Sequence, residues 1–166
     1  MEGSLKIAPL NFRYGINRNR GYVYNGFGQS FPTIISDDHN LIITFYALDE
    51  CVSDELIQSS TAYDVGVYTI KFKEFSKYTF GFPNDEAIHG HPYYKLGMMP
   101  YSFYELKNSD WIRALENIDK VHPRYKHDKW KADKHYIITF HDNMFECVAK
   151  GFEVSKETRP LHDHVR

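Results

Sequence analysis

The chain has 166 residues, 42% of them hydrophobic and 25% charged, with a formal net charge of −2. That length suits one ordinary domain with a core of its own, and the near-neutral charge argues against a dedicated nucleic-acid binder. Two cysteines, Cys51 and Cys147, are too few for a disulfide framework, and no apolar run is long enough for a membrane-crossing helix. The opening MEGSLKIAPLNFRYG lacks the apolar centre of a signal peptide, so a cytoplasmic location with reduced thiols is expected.

Residues 11–36 are rich in Gly, Asn and Arg, with turn signals at Asn25-Gly26 and at Gly28 and a strand-like piece at Tyr22–Tyr24. The run LIITFYAL at 41–48 predicts a buried strand, and the polar segment after it holds one helical turn at 54–58. YDVGVYTIKF at 63–72 is the clearest strand. A second covers 78–82 and stops at Pro83, which has no ladder donor to give. From 84 to 100, Gly90, Pro92, Gly97 and Pro100 predict a long ordered loop without regular structure.

Residues 109–119 predict a helix. Ser109 caps it, Asp110 favours its first turn, and Trp111, Ile112, Leu115 and Ile118 make one apolar face. Residues 120–134 read as a polar connection, whose lysines and arginine are interrupted by acids. Segments 136–141 and 145–154 then predict a hairpin through Asp142-Asn143-Met144. Its arms are apolar on both faces near the turn, which argues for a central place in the sheet. The fold class is α+β, mainly β: an antiparallel sheet or β-sandwich with one packed helix at 109–119. It is a single domain over 1–155 followed by a tail over 156–166. The 16% aromatic share, with 13 Tyr and 12 Phe, agrees with strands.

Chemistry, if present, belongs to the stretch 84–147, which holds His89, His91, His122, His127, His135 and His141. Histidine titrates near neutrality and is the commonest metal ligand. In Glu86-x-x-His89-x-His91, the two histidines are candidate metal ligands with Glu86 as a general base. Gly90 and Pro92 favour instead a loop whose histidines fix turns. A cupin pattern is absent, because Tyr93, Tyr94 and Lys95 stand where its glutamate would be. At the hairpin tip, His141 and Glu146 are expected opposite each other, positioning a general base or simply satisfying one another. Tyr93, Tyr94 and Tyr101 are candidate ligand- or partner-binding residues. No nucleophile elbow, phosphate loop or Cys-x-x-Cys motif occurs.

The motifs PNDEAIHGHP (83–92), YSFYEL (101–106), NSDWI (108–112), VHP (121–123) and ITFHDNMFECVA (138–149) resemble those of a group of uncharacterised bacterial proteins. The resemblance implies a bacterial origin and a compact domain, and by association an immunity-like protein; it implies no catalytic residue. Two functions are weighed. The first is a non-enzymatic binding or interaction protein, immunity-like or accessory, with a protein partner or small-molecule ligand and neither nucleic acid nor membrane. The second is a metal-dependent hydrolase with His89 and His91 on a divalent transition metal and Glu86, His141 and Glu146 in catalysis. The first needs no cofactor. Whether the chain is an enzyme, and its oligomeric state, stay open at this point.

Overall fold

The computed structural model describes residues 6–9, 32–47 and 66–157. In chain order these hold β1 (Lys6–Pro9), β2 (Thr33–Ser36), β3 (Leu41–Ala47), β4 (Gly66–Lys73) and β5 (Lys77–Gly81). Two short 3-10 turns (Ile88–Gly90 and Pro92–Leu96), β6 (Phe103–Lys107), α1 (Asp110–Asp119) and α2 (His127–Lys131) follow. The last strands are β7 (Lys134–Thr139), β8 (Met144–Ala149) and β9 (Gly151–Glu157). The strands form two antiparallel sheets, in the orders β1-β6-β7-β8-β5 and β2-β3-β4-β9.

Strand alternation assigns every side chain to a layer. Leu41, Ile43 and Phe45 of β3 and Tyr68, Ile70 and Phe72 of β4 meet Phe103, Tyr136, Ile138, Phe145 and Cys147 of the facing sheet. Phe45 lies edge-on to Phe140 at 5.1 Å, and Phe72 stacks on Phe145 at 5.3 Å. The result is a β-sandwich with one main helix, as the sequence predicts. The opposite parity of the five-stranded sheet (Tyr104, Leu106, Ile137, Met144) packs under Ile88 and Met98 of the loop. Thus β7 and β8 are central and covered on both faces, which explains their near-continuous apolar sequence.

The segment 145–154 is two strands rather than one. β8 ends at Ala149, and β9 starts at Gly151 in the other sheet. The β4–β5 segment makes the same crossing through Glu74, at φ 45°. Lys150 N–H donates to the Lys73 carbonyl (3.0 Å) and Ser76 N–H to that of Val148 (2.8 Å). The two chains therefore bend together and stay bonded through the corner. An unbroken apolar pattern cannot reveal such a bend.

Other differences are local. β6 is absent from the strands that the sequence predicts, although four of its five residues are buried. The connection 120–134 contains α2, anchored by Trp130, and the loop contains the two 3-10 turns. β9 runs through Glu157, two residues into the expected tail. Ile118, expected on the packed face of α1, is 69% exposed. Tyr22–Tyr24, Cys51, the helical turn at 54–58 and residues 158–166 lie outside the described residues. No described helix is long and apolar enough to cross a membrane.

Candidate functional site

Two polar clusters hold the loop and α1 against the outer face of the five-stranded sheet. In the first, Glu146 of β8 pairs with Ile137, which makes His135 its diagonal neighbour on the same face. His135 Nε2 lies 2.7 Å from Glu146 Oε2, and Nδ1 lies 2.8 Å from Ser109 Oγ. Ser109 Oγ also accepts from Ile112 N–H (3.3 Å), as the N-cap of α1. Its proton is thus free to point at Nδ1, so that Nε2–H donates to the carboxylate. The ring is 0% exposed, with the edge of Trp111 at 5.0 Å and Tyr93 at 6.0 Å.

His91 reaches the same carboxylate from the loop. Its Nδ1 accepts from Tyr93 N–H (3.2 Å), capping the second 3-10 turn, which leaves the neutral ring's proton on Nε2. That nitrogen faces Glu146 Oε1 at 4.0 Å. Burial pushes the His91 pKa below its ordinary value; Glu146 opposes the shift and His135 adds to it. The Tyr93 phenol is pushed upward by burial first, then by Glu146 and Asp110.

The second cluster joins Asp85, Tyr101 and His141. The Tyr101 hydroxyl donates to Asp85 Oδ2 at 2.6 Å, and His141 Nδ1 lies 2.9 Å from both of those oxygens. Asp85 N–H donates to the His141 carbonyl, also at 2.9 Å. Tyr101 sits at φ 54°, a left-handed conformation costly for an aromatic residue, while its ring stacks on His141. Burial raises the Asp85 carboxyl, but the bonds from Tyr101 and His141 outweigh it, and the pKa is lowered overall. A carboxylate on Nδ1 fixes the orientation of an imidazole.

The expected cross-strand bond between His141 and Glu146 is not formed. β7 ends at Thr139 and Phe140 N–H bonds the Asn143 carbonyl (2.8 Å), so His141 sits in the turn and takes Asp85 instead. The loop and hairpin do meet, at two places: Asp85 with His141 and His91 with Glu146. Glu86 and His89 are exposed, and His89 lies against Tyr94 at 4.6 Å. Tyr93 and Tyr94 pack over the outer core, whereas Tyr101 belongs to the Asp85 cluster. Among the described residues, no three His, Cys, Asp or Glu side chains are gathered as metal ligands.

Sequence reasoning named neither Asp85 nor His135 as a site residue, and gave Ser109 only its capping role. The parity of β7, with His135 in phase with Ile137, was the one available signal. Nothing in one dimension separates Asp85 from Glu86.

A third feature lies at the sheet corner. A groove of about 590 Å³ opens between the β4–β5 bend and the helical segment, lined by Phe75, Leu115, Ile118, Trp130, Asp133 and Lys150 among others. Trp130 Nε1 donates to Asp119 Oδ2 at 2.9 Å, tying α2 to α1 along one wall. Asp133 is only 9% exposed, and its Oδ2 has no hydrogen-bond partner. Burial pushes its carboxyl pKa up, Glu74 adds to this, and Lys150 and Lys129 oppose it. No protein-family model matches this chain, and no curated protein or solved structure is detectably similar to it.

Proposed function

We propose that the chain is a non-enzymatic binding protein, immunity-like or accessory in kind, that takes its ligand or partner in the corner groove. The observation that carries this reading is the commitment of His135. Both ring nitrogens are bonded within the chain and the ring is 0% exposed, so the strongest acid–base constellation is internal framework. The groove, in contrast, is an open depression that sets Phe75, Leu115, Ile118 and Trp130 among charged side chains of both signs.

The test is a thermal-shift screen of the full chain against metabolites and short peptides, repeated with Ile118→Arg. Ile118 is 69% exposed at the groove, so the variant folds while its guanidinium obstructs the opening. Ligands should raise the melting temperature of the parent and not of the variant. A ligand indifferent to Ile118→Arg, or one chemically consumed on incubation, contradicts the proposal.

A second reading, an acid–base hydrolase, is supported by the carboxylate-held imidazole of His141. It would use Asp85 where the sequence offered Glu146. Turnover of a substrate that His141→Gln abolishes while circular dichroism shows the variant still folded is its signature. Elemental analysis and a thermal shift with added zinc, manganese or iron test its metal-dependent form.

A further inference from the structure

We propose that the chain forms a two-fold homodimer by pairing β5 with β5 of a second copy, which joins the two five-stranded sheets into one. The contact uses a sheet edge and does not depend on what the corner groove holds.

A sheet edge presents a row of unpaired N–H and C=O groups, and folded chains blunt it with short strands, charge or proline. The two sheets have four edges: β1 and β5 in one, β2 and β9 in the other. β1 and β2 have four residues each, and β1 starts at Lys6 and ends at Pro9. β9 carries exposed Glu153, Lys156 and Glu157. β5 has only Lys77, at its first position, and then reads Tyr78-Thr79-Phe80-Gly81 before Phe82. Its sole strand partner among the described residues is β8. It is the least protected of the four.

Its aromatic residues leave the core as the strand proceeds. Tyr78 stacks on Phe145 at 6.2 Å within the interior of the sandwich. Phe80, on the same face by strand alternation, is 40% exposed, and Phe82 is 85% exposed. An apolar stripe that runs from the core to an open edge marks an interaction surface.

A second copy fits that stripe by its own symmetry. Residues directly opposite in an antiparallel pair share a face, and a two-fold axis at Phe80 sets each Phe80 against the other. It also sets Tyr78 of each copy against Phe82 of the other, so three aromatic cross-strand pairs form together. Charge is complementary in the same register. Lys77 falls opposite Pro83 of the second copy, beside the turn that carries Glu86. Lys77 and Glu86 are both exposed, and neither has an ion-pair partner among the described residues. No like charges meet along the strand.

Sedimentation velocity of the full chain over a range of concentrations is the test. At micromolar concentration the parent should sediment at twice the chain mass, and exchange of the β5 amides should slow on dimerisation. Phe82→Asp replaces an exposed side chain, so the fold persists, which circular dichroism checks. Each dimer loses two phenylalanines, and the dissociation constant should rise about a hundredfold or more. Lys77→Glu should weaken the dimer, and adding Glu86→Lys should restore it. A chain that stays monomeric at every concentration would overturn the proposal, as would a dimer that survives Phe82→Asp. Assembly beyond the dimer would place the contact on another edge and overturn it too. A Lys77→Glu dimer that Glu86→Lys fails to rescue would overturn the register, and with it the two-fold pairing of β5.

Discussion

His135 shows how a residue's partners, rather than its type, set its role. Its imidazole joins a helix cap to a central strand, and each neighbour loses a hydrogen bond if it is removed. His135→Ala should cost about 2–4 kcal/mol in urea unfolding, from the cavity and the stranded Glu146 and Ser109 groups. His89→Ala, on an exposed ring, should change stability by less than about 0.5 kcal/mol. His91 adds a pH dependence. Its folded pKa lies below the ordinary value near 6.5, so its contribution is complete above that pH and is lost as pH falls through the folded value. Urea midpoints measured downward from pH 7 should decline, and His91→Asn should flatten that decline. Asp85 acts lower on the scale. Its depressed carboxyl contributes stability above the ordinary carboxylate range, which is lost in acid, and Tyr101→Phe should shift that loss to higher pH.

At the scale of elements, α1 is docked more by its first turn than by its apolar stripe. Ser109, Trp111 and Ile112 hold the N-terminal end near His135, while Ile118 stands open at the groove. The cap was legible because Ser109-Asp110 before an apolar period is a local signal. Its second bond, to a histidine 26 residues on, was not, since only the pairing of β6 with β7 brings them together. Ser109→Ala removes both bonds and should cost about 1–2 kcal/mol. The loss should appear in hydrogen exchange as faster opening of α1, with little change in β3. Equal acceleration in both elements would mean that α1 is not a separable unit. The loop 84–100 illustrates the same limit. Its glycines and prolines announce irregular backbone, yet its two anchor points, at His141 and Glu146, are tertiary facts.

For the whole molecule, the paired crossing of β4–β5 beside β8–β9 makes the two sheets one cooperative body. Phe72 sits at their shared centre, 1% exposed, touching Tyr136, Phe145 and Phe152. Phe72→Ala should cost about 3–5 kcal/mol and reduce exchange protection in β3 and β7 together. Protection lost in one sheet alone would show that the sheets open separately. The sequence by itself determined the mainly β class, the capped helix and the central, doubly covered hairpin, because strand parity, capping and apolar runs are local properties. Tertiary structure decided the rest. It split one apolar run between two sheets, gave His141 to Asp85 and Glu146 to His135, and left Asp133 buried without a donor beside an open groove. Each of these depends on which distant backbone bends alongside which, and no spacing along the chain encodes that.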